Sequence, residues 1–406
     1  MVVLMVASEL IPDRLLADRL VDSLESGDLS AELRRPTPSG GQADRFTECI
    51  VITVGLGDPV GTSPVETAVT NPTLGNCEQA VPWLQLYEQS GTLRQDYSYF
   101  RYWHASTPAY RVGITLFGLA GTRFLGLLSL LGAMVLALTG VSRRWGWWTA
   151  TALFGPVVLT TDVLETAESL PHLVAWTLTF LVAAALSRMT AGPDDREKWL
   201  AAAAWCGTAA AFFDLMIALP ANAALVLALT WLRSSGPAKE RIRQVGLAGL
   251  AWGSGLGLTW VAKWVVALPF VGWQRVWDDA IGQVLFRVSG DNELADGGFG
   301  TATARAIDWW LDRPLAVPVV VVWLVAAVVL GSSIVRQSGR RGQWLAPLSM
   351  AAMFALAPLV WMEALSNHNQ IHYWITYRAL PIGLGAGLAC LMAARFNGDD
   401  VGMRSD

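Results

Sequence analysis

Two carboxylates near the start of the chain have the type and spacing to supply a general base. Asp44 and Glu48 lie four positions apart in "DRFTE" (residues 44–48), so on a helix they would share one face. A carboxylate held beside a substrate hydroxyl can accept its proton. The alternative interpretation is that both are loop carboxylates that meet only water, because a pair of acids does not by itself identify a site.

Cationic and aromatic residues are concentrated in "HNQIHYWITYR" (residues 368–378), between two apolar segments. Arg378 begins the second of these segments. Because a helix N-terminus already favours negative charge, we expect Arg378 to face a bound anion. His368 and His372 have the i, i+4 spacing of a metal-binding pair, but no third ligand follows at a recognisable spacing. The sequence therefore predicts no metal site here.

Other ionisable residues lie in or beside apolar segments, where their cost makes them candidates for function. They are Asp162 in "TTDVLETAESLPH", Lys263 in "WVAKWVV", and Arg101 and His104 in "YFRYWH". Each has a structural alternative. Arg101 and His104 could anchor an aromatic stretch at the membrane interface, and Lys263 could extend to the nearer surface.

Taken together, these residues place carboxylates of a long polar segment opposite the cations Lys263, His372 and Arg378. Arginine binds phosphate through paired hydrogen bonds and lysine binds it as a point charge, so the combination fits an anionic lipid head group beside an acid or base. Motifs for other chemistry are missing: "GLGDPVG" lacks the Lys-Ser/Thr of a phosphate-binding loop, and neither G-x-S-x-G nor H-E-x-x-H occurs. Nothing in the sequence indicates a nucleic-acid partner.

The elements that must position these residues are predicted to be membrane-spanning helices. The chain is 53% hydrophobic and only 15% charged, whereas soluble domains are about 25% charged. Segments of about 18 or more apolar residues can cross a bilayer. The predicted spans are 122–141, 146–163, 170–188, 199–217, 219–232, 245–268, 314–335, 344–363 and 376–395. With residues 1–11 interpreted as part of a first transmembrane helix, the sequence predicts an all-α polytopic membrane protein with about 9–10 transmembrane helices.

The distribution of Lys and Arg predicts which side each connection faces, because cytoplasmic loops are enriched in them. One set of short connections is basic, near 143–144, 188–198, 233–243 and 336–341, whereas the alternating set near 163–170, 214–221 and 364–376 has no Lys or Arg. We therefore expect a cell-membrane protein with residues 12–121 and 269–313 as extracytoplasmic segments. Residues 122–268 and 314–395 hold the helices, and 396–406 form a cytoplasmic tail.

The segment 12–121 is predicted to contain helices that lie at the interface. "DRLLADRLVDSLES" has an apolar face formed by Leu16, Leu20 and Leu24, and "CEQAVPWLQLYEQSG" is a second helical candidate. The stretch from "YSYFRYWH" onward is aromatic and basic, then apolar, which suits an interfacial helix. Cys49 and Cys77 share this segment. A disulfide between them is one alternative, and two free thiols are the other.

The layout resembles that of the C-type (GT-C) integral membrane glycosyltransferases. The resemblance rests on a long outer segment with an acidic pair, interface helices, many further spans, and "YFRYWH" and "HYWITYR", which are similar to motifs in bacterial members of that group. It implies transfer of a sugar from a polyprenyl-phosphate donor to an envelope glycan or lipid acceptor, with inversion, at the extracytoplasmic face. It also implies that Asp44, or alternatively Glu48, is the catalytic base, with a pKa that partial burial moves toward the working pH.

The resemblance further implies that charge developing on the lipid phosphate is stabilised by Lys263, Arg378 and His372, while aromatic rings stack on sugar or line the lipid entrance. The candidate substrate-binding residues are Lys263, Arg378, His372, His368, Tyr373, Arg101, His104 and Asp162. No cofactor is required, and a divalent cation stays an open alternative, because Lys and Arg can neutralise phosphate. A polymerase or ligase of polyprenyl-diphosphate-linked glycans, a transporter and a non-enzymatic scaffold are the other functions left open.

Overall fold

The chain folds as an all-α polytopic membrane protein, as its apolar segments predict. The computed structural model describes residues 2–56, 63–93, 97–189, 195–289, 293–295, 298–337 and 344–396. Outside the described residues lie Asp296, Gly297, Arg340, Arg341 and the tail beyond residue 396.

Helices account for nearly all of the regular structure in these residues. In chain order they are α1 (Val2–Ser8), α2 (Asp13–Glu25), α3 (Arg45–Ile52), α4 (Pro64–Thr70), α5 (Cys77–Ser90), α6 (Thr107–Trp145), α7 (Trp147–Thr160), α8 (Leu170–Arg188), α9 (Arg196–Phe213), α10 (Leu219–Arg233), α11 (Ala238–Val271), α12 (Trp273–Ser289), α13 (Thr301–Leu311), α14 (Ala316–Gln337), α15 (Leu345–Ala364), α16 (Ser366–Ile371), α17 (Tyr373–Thr376) and α18 (Ala379–Phe396). A 3₁₀ helix covers Val163–Glu168. Two antiparallel pairs join β1 (Arg34–Pro36) to β2 (Gln42–Asp44) and β3 (Pro72–Thr73) to β4 (Tyr97–Ser98).

Each predicted span coincides with a helix. Within the described residues, six stretches are long and apolar enough to cross a bilayer: α6, α8, α11, α14, α15 and Tyr373–Arg395, which includes α18 up to Arg395. The other three predicted spans are α7, α9 and α10. Helices α7 and α10 have 14 and 15 residues, whereas a bilayer core about 30 Å thick needs about 20. Helix α10 is almost wholly buried, so protein rather than lipid surrounds it.

Helix α18 lies at the centre of the membrane-embedded bundle. A Cβ added to Gly385 would lie 2.6 Å from the carbonyl oxygens of Ala152 and Leu153 in α7, and one on Gly383 would lie 2.8 Å from that of Phe354 in α15. Small residues allow this close approach of backbones, which helps helices to associate in lipid. Helices α6, α11 and α14 instead expose most of their apolar side chains, as expected of lipid-facing helices.

The connections without Lys or Arg meet at one end of the bundle. Residues 161–169, 214–218 and 365–376 lie there, against the described parts of the segment 9–106 and against α12. We call this end the pocket face. The basic connections near 143–146 and 233–238 join the opposite ends of the same helices, and we call that end the basic face. The two sets that the sequence distinguishes are therefore separated in space.

The segment 12–106 contains the two helices that the sequence predicts. Leu16 and Leu20 of α2 are fully buried, and α5 follows the N-cap Asn76. Cys49 of α3 and Cys77 of α5 form a disulfide, with Cα atoms 5.1 Å apart. A helix does follow "YFRYWH", as predicted, and it is the first part of α6; its position at the membrane interface stays a prediction. It begins at residue 107 and is interrupted by non-helical backbone at Gly118, after which the spanning part follows.

Candidate functional site

A pocket of about 450 Å³ lies at the pocket face, where distant parts of the chain meet. Its volume is within the range of small-molecule sites, about 300–1,000 Å³. Its walls come from the β1–β2 hairpin and α3, the aromatic stretch 97–102, the α9–α10 connection, α12 and the connection 365–378. The lining residues that carry the argument are Arg34, Asp44, Tyr99, Arg101, Tyr102, Met216, Gln283, Arg287, His368, His372 and Trp374. We call this pocket the cationic pocket, for the charges described below.

Asp44 ends β2 and caps the N-terminus of α3. One carboxylate oxygen accepts the Thr47 N–H at 3.0 Å, and the other lies 3.1 Å from Nε2 of His172. Burial works against the charge, but the hydrogen bonds from His172 and Thr47 outweigh it and lower the pKa of Asp44 to about 2. The expectation that burial moves this pKa up toward the working pH is therefore wrong. Asp44 lines the pocket as an ionised carboxylate.

His172 and Arg378 hold the far side of this carboxylate. A guanidinium can only donate, and NH1 of Arg378 lies 3.2 Å from Nδ1 of His172. Nδ1 must therefore accept, so the proton of a neutral imidazole is on Nε2, which donates to Asp44. Asp162 binds Arg378 through two hydrogen bonds, of 2.6 and 2.9 Å, and also accepts from the Tyr377 hydroxyl at 2.5 Å. We call these five residues the buried polar chain.

The buried polar chain changes the interpretation of Arg378 and Asp162. The anion that Arg378 faces is the carboxylate of Asp162, and neither residue is among those that line the cationic pocket. Both side chains are at most 2% exposed. Their geometry fits a positioning role: they hold His172 of α8 in the orientation that meets Asp44, and they join α18 to the end of α7.

Positive charge in the pocket comes mainly from arginines. Arg101 pairs with Asp279 at 2.8 Å. The guanidinium of Arg34 lies 5.0 Å from the centre of the Trp374 ring, and Arg287 contacts the Tyr102 ring and hydroxyl. No carboxylate of the described residues forms an ion pair with Arg34 or Arg287. Their charge is therefore available to an anionic ligand.

His368 and His372 line the same pocket as neutral groups. Their ring centres lie 4.8 Å apart. Burial lowers the pKa of His372 to about 4 and that of His368 well below its usual value, so the expectation that His372 is a cation at neutral pH is wrong. Nδ1 of His372 is buried and has no hydrogen-bond partner among the described residues. In the same residues, no group of three or more His, Cys, Asp or Glu could hold a metal ion.

Glu48 lies outside the pocket lining, in a buried ion-pair cluster. Its carboxylate accepts from Arg45 at 2.5 Å and from Arg123 at 2.5 and 3.1 Å. It also accepts from the backbone N–H of Leu170 at 3.2 Å. With both oxygens engaged, Glu48 fastens α3 to α6 and α8. A catalytic role for Glu48 stays a prediction without support from its contacts.

Lys263 and His104 also lie away from the cationic pocket. The ammonium of Lys263 is fully buried, donates to the Val69 carbonyl at 2.6 Å and lies 5.3 Å from the centre of the Trp103 ring. His104 is buried against Tyr99 and Tyr102. Neither is among the residues that line this pocket or the one next to it, so their predicted binding roles gain no support from the geometry.

Of the predicted substrate-binding residues, the pocket brings together Arg101, His368 and His372 with Asp44, while Tyr373 lines a neighbouring pocket. Sequence reasoning missed Arg34 and Arg287 as site residues, and it included Trp374 only among the aromatic rings of residues 368–378. Arg34 looks like an ordinary linker residue before "PTPSGG", and Arg287 looks like one charge on an amphipathic helix.

No protein-family profile, curated protein or solved structure matches this chain.

Proposed function

We propose that the chain is a glycosyltransferase that moves a sugar from a polyprenyl-phosphate donor to a glycan or lipid acceptor of the cell envelope. The observation that carries the proposal is the composition of the cationic pocket: a single ionised carboxylate, Asp44, faces the guanidiniums of Arg34 and Arg287. A donor phosphate needs the arginines, and an attacking hydroxyl needs the carboxylate. The resemblance to the GT-C glycosyltransferases supports the same assignment.

In the proposed reaction the acceptor hydroxyl oxygen attacks the anomeric carbon and the bond from that carbon to the phosphate oxygen breaks. The polyprenyl phosphate leaves with the electron pair, and Arg34 and Arg287 stabilise its charge. The hydroxyl proton passes to Asp44. Because its pKa is low, Asp44 is a weak base, which suits proton transfer that comes late, after the new bond has made the hydroxyl acidic. His172 keeps the carboxylate oriented.

The proposal places the pocket face on the extracytoplasmic side of the cell membrane. The Lys and Arg of the basic face favour the cytoplasm. The disulfide between Cys49 and Cys77 lies in the segment that includes Asp44, and disulfides persist in oxidising compartments. A lipid-linked sugar presented at that surface would reach the pocket without crossing the bundle.

A second function, polymerisation or ligation of polyprenyl-diphosphate-linked glycans, is favoured by one observation. Arg34 and Arg287 both line the pocket and form no direct ion pair with a carboxylate of the described residues, and a diphosphate gains from two guanidiniums. In that chemistry the arginines matter more than a carboxylate base. The two candidates therefore differ in how they respond to loss of Asp44.

Mass spectrometry of lipids extracted from cells that lack the protein tests the first proposal. The deletion is complemented with wild type, Asp44→Asn, or Asp22→Asn as a matched control, since Asp22 is an exposed carboxylate on α2. We expect one polyprenyl-phosphate sugar to accumulate in the deletion and with Asp44→Asn, but not with wild type or the control. Loss of a base of this kind costs about 10²–10⁴ in rate.

Asp44→Ser separates chemistry from folding, because Ser also caps a helix N-terminus. If both variants are folded and clear the lipid as wild type does, Asp44 is not the base. Loss of activity only in Arg34→Gln and Arg287→Gln would then favour the diphosphate chemistry. A lipid-linked pool that does not change on deletion would count against both enzymes and favour a transporter, tested by solute uptake into proteoliposomes, or a scaffold.

A further inference from the structure

We propose that a second pocket, next to the cationic pocket, binds the acceptor as an uncharged polyol, a sugar residue with free hydroxyls. This rests on the proposed glycosyl transfer and adds the chemical class and place of its acceptor. The second pocket has a volume of about 440 Å³ and lies between the start of β1, α13 and the connection 365–378. We call it the acidic pocket.

The two pockets differ in charge. Three carboxylates line the acidic pocket, those of Glu293, Asp308 and Asp312, against the guanidiniums of Arg34 and Arg305. Arg305 already donates to the backbone carbonyl oxygens of Leu294 and Gln370. A phosphate or other anion would meet repulsion here, whereas carboxylates are good acceptors for the hydroxyls of a neutral sugar. The anionic donor and the neutral acceptor would thus each find the pocket of suitable charge.

The aromatic lining also fits a sugar. Trp309 of α13 and Tyr373 of α17 meet edge to face, with ring centres 5.4 Å apart, and both line the pocket. Aromatic rings give a ligand apolar contact area, while the few polar groups around them fix its orientation. The Trp309 indole N–H has no acceptor among the described residues.

Arg34 joins the two pockets. It lines both of them, and in the β1–β2 hairpin it lies directly across from Asp44. Residues directly opposite in an antiparallel pair point to the same side of the sheet, yet Arg34 contacts the Trp374 ring rather than pairing with the carboxylate. The Arg34 side chain therefore lies between the two pockets, and a sugar bound in the acidic pocket would extend its hydroxyl past Arg34 to reach Asp44.

The test is saturation-transfer NMR of the purified full chain in detergent micelles, with four methyl glycosides as probes: glucoside, galactoside, mannoside and arabinoside. We expect at least one probe to bind, with an affinity that Trp309→Ala lowers about tenfold or more. The matched control is Trp148→Ala, since Trp148 is 73% exposed on α7 at the basic face and its loss should leave binding unchanged. Asp308→Asn provides a second variant at an exposed position, and we expect it to weaken the same probe.

Binding does not require turnover, so failure of this inference and failure of the proposed function give different results. Asp44→Asn should retain glycoside binding and lose transfer. If no probe binds, or if binding is unchanged in both Trp309→Ala and Asp308→Asn, the acidic pocket is not the acceptor site. Glycoside binding that depends on Trp309, together with full transfer by Asp44→Asn, would keep this site and reject Asp44 as the base.

Discussion

Replacing Asp162 by Asn should destabilise the protein far more than the same change in an exposed ion pair. Asp162 and Arg378 are at most 2% exposed and share two hydrogen bonds of 2.6 and 2.9 Å. Asn keeps the size but leaves the guanidinium buried without a bound carboxylate, which costs about 3–5 kcal/mol. The matched control is Glu240→Gln opposite Arg243, a pair that is 39% and 59% exposed, where the cost is about 1 kcal/mol or less.

Thermal unfolding of purified protein in one detergent measures the difference. At about 2 °C per kcal/mol, the lower end for chains of 150–250 residues, Asp162→Asn should lower Tm by about 6–10 °C, and Glu240→Gln by about 2 °C or less. The double variant Asp162→Asn with Arg378→Met removes the stranded charge and should melt above Asp162→Asn alone. Equal shifts for Asp162→Asn and Glu240→Gln, or a double variant no more stable than the single one, would refute the reasoning.

The same pair sets a dependence on pH. Burial opposes the charge of Asp162, but Arg378 and the Tyr377 hydroxyl hold its pKa below the usual value, which is about 3.9 in an unfolded chain. Because the pKa of Asp162 is lower in the folded protein than in the unfolded chain, its ionisation stabilises the fold. This stabilisation is complete above about pH 4 and is lost as the pH falls through the pKa of Asp162 in the folded protein. Between pH 5 and pH 3, Tm should therefore fall more steeply for wild type than for Asp162→Asn.

Three further predictions concern other parts of the bundle. Gly255→Ala should destabilise the protein by about 1–3 kcal/mol, because the added Cβ would lie 2.0 Å from the carbonyl oxygen of Ala204. The control is Gly253→Ala, whose Cβ would meet nothing within 4 Å. In the same melting assay, the control should not lower Tm. Cys49→Ser and Cys77→Ser should each cost about 3.5 kcal/mol, because the disulfide closes a loop of 28 residues, and the double variant should cost no more. Since Cys206 and Cys390 are free, a thiol assay of unfolded, unreduced protein should find two thiols, and four would contradict the disulfide. Lys263→Met should lower Tm because it leaves the Val69 carbonyl without its donor, while the KM for the donor stays unchanged; a raised KM in folded protein would return Lys263 to the site.

Apolar length and the distribution of Lys and Arg were enough to predict the architecture. Each predicted span coincides with a helix, and the basic connections near 143–146 and 233–238 lie at the opposite end of the bundle from the non-basic ones. These properties follow from local composition, because a backbone in lipid must satisfy its hydrogen bonds within a helix. The α2 helix, with Leu16 and Leu20 buried, was predictable for the same reason, because the spacing of its apolar residues places them on one face of a helix.

The partner of each charged residue was decided by the tertiary structure. Arg378 is separated from Asp162 by 216 positions, and His172 from Asp44 by 128, so no spacing in the sequence shows that they meet. Burial makes such pairing obligatory without saying which residue supplies it. For that reason we predicted from the sequence that Arg378 faces an anion, but we interpreted that anion as a ligand rather than as a carboxylate of the protein. Nothing in the sequence indicated that Arg34 and Arg287 would line the same pocket as Asp44. The sequence determines where in the chain a charge is costly. The packing of the helices determines which of those charges are neutralised within the protein and which stay without an ion-pair partner.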